Sequence, residues 1–436
     1  MEFADIGIMD AEVVSLRDRR LLVLAWMMPP LIFPRSLQIS RTLRAMAAKG
    51  WSVEVIAVPP DVEPLAARDA QLAQFYTGSY TLNYVEPREE VAPSQLWLRA
   101  IRALLRTKNL TNRNWVSRAS REMIRRIQTE RPDAMVSFAQ PWINHVAALR
   151  VKAKFPNLPW VAHFSDPWVD SPYFKPSTEK DRASAVQQER AIMASAEALV
   201  FTTQETAELV MAKYPSAWKN RVHIVPHGYE ADLLGLVKES PTSPKFTITH
   251  TGNLYDKREP VALLHALAQL KKEVADEPDF QVNFVGHATQ TMHDMVERLD
   301  IHGVVSLVPN TPFLESLAIA QAADLLLVID APAEHSVFLP SKVVEYLVLR
   351  RPILALTPKA GASARVLGTL GFPTVEPTDE KGILDSLRTA YTYWQQGQDA
   401  TPIPPLEALG SYDIQQLVGC FETAIEHAIK TTEAHV

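Results

Sequence analysis

The segment Leu339-Pro340-Ser341-Lys342-Val343-Val344-Glu345-Tyr346 sets a lysine and a glutamate three residues apart, just beyond a proline. If 341–349 is a helix with Pro340 at its beginning, the free N–H groups of its first turn and the helix dipole attract an anion, and Lys342 adds a full positive charge there. Glu345 falls on the same face one turn deeper, where a carboxylate accepts hydrogen bonds from a diol such as a ribose. Such a pair would hold a diphosphate and the sugar next to it. The same spacing also fits a surface Lys–Glu pair on an ordinary amphipathic helix.

Other reactive side chains cluster just after short apolar runs, and in open α/β sheets that is where ligands bind. In His163-Phe164-Ser165-Asp166-Pro167-Trp168, His163 or Asp166 could orient a ligand hydroxyl, or the two could hydrogen-bond each other and only stiffen the loop. Thr251-Gly252-Asn253-Leu254-Tyr255-Asp256-Lys257-Arg258 likewise follows an apolar run, and its last two residues can be read as solvated loop charges. Gly286-His287, His227-Gly228 and Arg35 stand at equivalent places, Arg35 being a contact for an anionic ligand or a surface arginine. Glycine is scarce (15) and proline plentiful (32), and neither G-x-G-x-x-G nor G-x-x-x-x-G-K-[ST] occurs, so any phosphate is held without a glycine-rich loop.

The positioning elements follow from the alternation of apolar runs with helical periodicity. Strands are expected at 20–27, 52–58, 134–139, 160–164 and 198–202, with helices at 36–49 and 142–154. After the proline-broken stretch 238–245, a second series of strands is expected at 246–251, 281–285, 304–308, 323–329 and 352–356. The division is a polar leader 1–19, a first domain 20–237, a linker 238–245, a second domain 246–410 and a closing helical segment 411–436 that packs back on the first domain. The fold class is α/β with two Rossmann-like domains.

Length agrees with two domains, since 436 residues exceed what one core usually supports. With 44 basic and 50 acidic residues the net charge is −6, which argues against nucleic acid as a partner. The single Cys420 excludes an internal disulfide and multi-cysteine metal sites. The acidic start is not a signal peptide and no apolar run reaches the roughly 20 residues that span a bilayer, so the expected location is the cytoplasm. Residues 97–126 set many arginines against the single acid Glu122; they could rest on anionic lipid at the inner face of a membrane, or form a solvated helix face.

The segment 339–346, followed by Arg351-Pro352-Ile353-Leu354-Ala355, resembles the donor-site region of the retaining glycosyltransferases of family four, which have the GT-B fold. Val225-Pro226-His227-Gly228 is similar to that family's I-P-N-G-V turn, Thr251-Gly252-Asn253-Leu254 to its strand-then-glycine turn, and 163–168 to the D-x-W-P segment of some members. The resemblance implies a nucleotide-diphosphate sugar as donor between the domains, no further cofactor, a glycan or lipid-linked acceptor, and retention without a protein nucleophile. Together with the lack of a D-x-D triplet, it implies that no metal is needed. It implies donor contacts at Gly252, Asn253, Lys257, Arg258, Gly286, His335, Ser341, Lys342 and Glu345, and an acceptor side near His163 and Asp166. Three positions depart from the pattern. Asn253 stands where arginine is common, Val337 occupies the first glutamate of E-x7-E with Glu334 or His335 as possible stand-ins, and 29–35 replaces a glycine-rich turn with prolines. A nucleotide-sugar epimerase of similar fold and a non-catalytic sugar-nucleotide binder are the alternatives. Lys342→Ala and Glu345→Gln are expected to weaken donor binding with little change in melting temperature.

Overall fold

The computed structural model describes residues 19–64, 66–87, 108–274 and 279–434. Its first strand, β1 (Arg19–Leu24), sends Leu21 and Val23 into one core and Leu22 and Leu24 into another. A strand covered on both faces belongs inside a parallel sheet, which is why its sequence is an unbroken apolar run. Six more strands join it: β2 (Trp51–Ala57), β3 (Thr81–Tyr84), β4 (Ala134–Phe138), β5 (Trp160–Phe164), β6 (Ala198–Phe201) and β7 (Val222–Ile224). They lie in the order β3-β2-β1-β4-β5-β6-β7, all parallel. The order reverses between β1 and β4, making a ligand-binding crevice there.

The second sheet repeats the plan with β8 (Phe246–Thr251), β9 (Phe280–Val285), β10 (Val305–Val308), β11 (Leu325–Ile329), β12 (Ile353–Leu356) and β13 (Thr374–Val375). Its order is β10-β9-β8-β11-β12-β13, again parallel, and reverses between β8 and β11. The strands at 81–84, 222–224 and 374–375 were not expected. Each lies at a sheet edge, is short and is partly exposed, so it lacks the apolar run that marks a central strand.

Five helices matter for the site. Helix α1 (Pro34–Ala48) opens with proline in its first turn and ends before Gly50, whose φ of +89° suits a helix C-terminus. Helix α2 (Lys108–Thr129) turns Trp115, Ala119, Met123 and Ile127 into the first core. Two of its arginines are paired, Arg125 and Arg126 with Glu122, and Arg126 also with Glu54. Residues 97–107 of the basic stretch lie outside the described residues. Helix α3 (Gln204–Met211) reaches the second domain through Thr206 and Glu205, which meet the Val337 carbonyl and Arg365, and helix α4 (Lys342–Leu349) follows that loop. Helix α5 (Ile414–Glu433) buries Ile414, Leu417, Val418, Phe421, Ala424, Ile425 and Ala428, a stripe of helical period, and packs on α1 and the first sheet. Among the described residues no helix is long and apolar enough to cross a membrane.

Candidate functional site

In the second domain two post-strand turns interlock. Gly252 donates its N–H to Val285 O at 2.7 Å, Leu254 N–H reaches His287 O at 2.9 Å, and Asn253 Oδ1 accepts from His287 N–H at 3.0 Å. The Asn253 side chain therefore ties the turns together rather than standing in for an arginine. Gly286 has φ +144°, and a Cβ there would lie 2.5 Å from Gly252 O, so the approach requires glycine.

Lys342, the first residue of α4, reaches under this double turn: a Cβ on Gly252 would lie 2.5 Å from its Nζ. The ammonium donates to His250 Nε2 at 3.0 Å, and His250 Nδ1 must carry its own proton because it donates to Leu327 O at 2.9 Å. His250 is thus a neutral acceptor. Burial, then the nearby Arg258 charge, brings the Lys342 pKa down to about 7, with Asp330 and Glu345 opposing. Ser341 is the helix N-cap and makes no side-chain cap bond, while the Val343 N–H of the first turn already donates to Pro340 O at 3.0 Å. Tyr346 Oη accepts from Thr251 N–H at 2.8 Å and fixes α4 to the end of β8.

Lys342 and Glu345 do not form the surface pair that their spacing allowed. Glu345 instead meets Arg41 of α1 at 3.4 Å, with side chains 14% and 3% exposed, and Arg41 also donates to Gly228 O at 3.4 Å. Breaking a buried pair leaves an uncompensated charge. The expectation that Glu345→Gln leaves the melting temperature unchanged is therefore revised to a clear drop. Arg41 was not singled out in the sequence. Its signal is a charge at the i+4 position from buried Leu37, on the stripe that α1 turns to the core.

On the first-domain side, Arg35 is no surface arginine. It donates to Ala139 O, to Gln38 Oε1 at 3.1 Å and to His163 Nδ1 at 2.8 Å, and burial lowers its pKa to about 9 against the opposing charge of Asp166. An arginine only donates, so His163 accepts at Nδ1 and carries its proton on Nε2. Burial, then Arg35, keeps His163 neutral, well below the usual histidine range. His163 and Asp166 do not hydrogen-bond each other; Asp166 Oδ2 accepts from Gln140 at 3.1 Å and Ser165 at 3.0 Å. Burial pushes the Asp166 carboxyl up, opposed in part by Ser165 and by Arg35 and Arg258, which places it within electrostatic reach of both domains. His227, held to a pKa of about 3 by burial and then by Arg35 and Arg41, lines the same wall with Phe138 and Phe421.

The remaining expected positions are spread out. Lys257 is exposed and Arg258 stands over Tyr255 at 5.5 Å, its Nε buried without a partner. Val337 is packed between the domains, and its carbonyl accepts from Thr203 Oγ1 at 2.9 Å and Thr206 Oγ1 at 3.1 Å at the start of α3. His335 is exposed and lies within electrostatic range of Glu205 on α3. Asp330, just after β11, is buried beside Lys342 and Arg258, and sequence reading passed over it although it follows a strand directly.

Residues 36–228 match the glycosyl transferase 4-like domain. Among solved structures, a glycosyltransferase from Rickettsia africae superposes with a TM-score of 0.63 at 10% identity, covering 95% of this chain and 99% of that one. The chain carries a glycosyl transferase 4-like domain in a GT-B fold. A trehalose-6-phosphate protein from E. coli bound with UDP-2-fluoro glucose shares the GT-B plan (TM-score 0.61, 13% identity, 93% and 98% covered). So does a UDP-N-acetylglucosamine 2-epimerase (0.53, 11%, 90% and 94%). No curated protein matches the sequence. At these identities the structural likeness establishes the GT-B fold, and the domain match marks residues 36–228 as glycosyltransferase-like.

Proposed function

We propose that this chain moves a sugar from a nucleotide-diphosphate donor to a hydroxyl acceptor, with retention, in the assembly of a cell-surface polysaccharide or glycolipid on the cytoplasmic side of the membrane. The observation that carries this is Lys342: a cation at an uncapped helix start, at the carboxyl end of a parallel sheet, hydrogen-bonded to a neutral imidazole rather than to a carboxylate. In this reading the Lys342 ammonium, the α4 N–H groups and Arg258 hold the diphosphate and stabilise its charge as it departs. Glu345 takes the ribose, while Lys257, Asn253, Gly252 and Gly286 shape the turns around the donor. The acceptor lies toward the first domain, where the His163 Nε2–H and the Asp166 carboxylate orient its hydroxyl and the leaving phosphate takes its proton. The likeness to the trehalose-6-phosphate protein bound with UDP-2-fluoro glucose supports a nucleotide-sugar donor. No step requires a metal or a further cofactor.

Purified chain incubated with a panel of nucleotide sugars, with and without lipid extracts, tests this by release of nucleoside diphosphate. Transfer with retained anomeric configuration is expected. Tight binding without turnover in every extract would make the chain a sugar-nucleotide binder, and an epimerised donor without released nucleotide would favour the epimerase reading suggested by the 2-epimerase likeness.

A further inference from the structure

Over the carboxyl ends of β4, β5 and β7, α1 and α5 enclose a recess of about 390 Å³, its open mouth included. Phe138, Val225 and Phe421 contribute an apolar wall, and Arg35, His163 and His227 bring nitrogen groups to it. Every lining residue belongs to the first domain or to α5, so the recess is separate from Lys342 and the donor turns.

Arg35 is the one charge in that lining. Its guanidinium donates to Ala139 O, Gln38 Oε1 and His163 Nδ1, all uncharged acceptors. Arginine offers five N–H groups and these bonds use three, so two remain. Asp166, whose charge acts on Arg35, accepts from Gln140 and Ser165 and forms no ion pair with it. Other partly or fully buried arginines are compensated: Arg41 by Glu345, Arg44 by Glu230 and Asp232, Arg126 by Glu54 and Glu122. Arg221 donates to Met193 O, Ala194 O and Ala196 O, at the negative end of the helix Glu179–Ser195. Arg35 has the reverse placement. It is the second residue of α1, at the positive end of the helix dipole, and the first turn holds no acidic residue.

A half-buried cation without a counter-charge, beside open space, calls for an anion. A neutral sugar would leave the charge uncompensated, whereas a carboxylate or phosphate matches the guanidinium fork. His163 lines the same recess with its proton on Nε2, next to the cation. We propose that Arg35 binds the acidic group of an anionic acceptor, a carboxylate or a phosphate, whose neighbouring hydroxyl meets His163 Nε2–H. This rests on the glycosyltransferase reading and names the acceptor's class, a polyhydroxylated acid such as a uronic acid or a sugar phosphate.

The full chain, its donor site first filled with UDP, is titrated calorimetrically with glucuronate, inorganic phosphate and neutral glucose. At least one of the two anions should bind about tenfold or more tightly than glucose, glucuronate leading for a carboxylate acceptor and phosphate for a phosphorylated one. Arg35→Gln should weaken that anion about tenfold or more and leave UDP within about twofold. Equal weakening of UDP would make Arg35 a contact for the donor's diphosphate and overturns the proposal. So does an anion that binds no better than glucose, or one that Arg35→Gln leaves untouched. Should Arg35→Gln fail to fold, Arg35→Lys keeps the charge and loses the fork. A smaller loss confined to the anion is then expected, and an even loss on anion and UDP overturns the proposal. A wild-type chain that binds neither UDP nor GDP sinks the donor-site reading, while the anion titration of that empty chain still decides the recess.

Discussion

Burial brings the Lys342 ammonium to a pKa of about 7, so its charge changes within the working range of pH. An anionic donor binds the protonated form, so affinity for a nucleotide sugar should fall as pH rises above about 7, approaching about tenfold per unit. Calorimetric titration with UDP-glucose from about pH 6 to 9 checks this: Lys342→Met should bind weakly and with a flat profile. A slope that survives the substitution would assign the titration to another group. The empty protein carries the opposite signature. Between about 7 and the ordinary lysine value of 10.5 the unfolded chain holds a proton that the folded chain lacks, so this residue's contribution to stability rises with pH across that window. Lys342→Met should remove that rise from the melting curve. At the neighbouring turn, Gly286→Ala places a Cβ against Gly252 O in a backbone region that suits glycine. A loss of about 1–3 kcal/mol is expected in thermal unfolding, with donor affinity falling because Lys342 sits on the same turn.

At the scale of elements, α1 and α4 meet through a pair of charges rather than through apolar packing alone. Arg41→Met leaves Glu345 buried without its partner, and a loss of about 3–5 kcal/mol is expected by chemical denaturation. Glu345→Gln should cost less, because Arg41 keeps Gly228 O and the charge of Glu230. A double mutant whose loss equals the sum of the two singles would mean that the pair is not coupled. How much of this was legible in the sequence depended on what kind of signal carried it. The central strands were, since 160–164 and 246–251 coincide with β5 and β8, and both are apolar runs bounded by turn residues. Lys342 and Glu345 were also visible as a local motif, but their partners were not. His250 comes from 92 residues away and Arg41 from 304, and sequence periodicity carries no information about contacts between distant elements. Asn253 shows the converse: its departure from arginine was visible, while its hydrogen bond across two turns was not.

For the whole molecule, the contacts that join the two domains include Arg41 with Glu345, Thr203 and Thr206 with the Val337 carbonyl, Arg365 with Glu205, and an apolar cluster of Leu37, Leu72 and Tyr76 with Leu314. The chain then returns to its first half through Tyr229 N–H to Tyr412 O at 2.8 Å and Ile414 N–H to Tyr229 O at 3.0 Å. Phe421, fully buried on α5, lies 6.0 Å from the Phe138 ring and 6.1 Å from His163. Phe421→Ala should destabilise the protein by about 3–5 kcal/mol in denaturant unfolding. It should also weaken acceptor use more than donor binding, because the wall it supports holds His163. Equal losses on the two sides would mean that α5 serves stability alone.

The return of α5 to the first sheet sets an order of events during synthesis. Residues 19–224 leave the ribosome with one face of their sheet covered in part, by α1, and the helix that completes the cover begins at Ile414, after the second sheet. The first half therefore waits, with part of that apolar face open, for a segment made after both sheets. A nascent chain halted before Ile414 should bind chaperones and be cut readily by protease, although every strand of both sheets is already present.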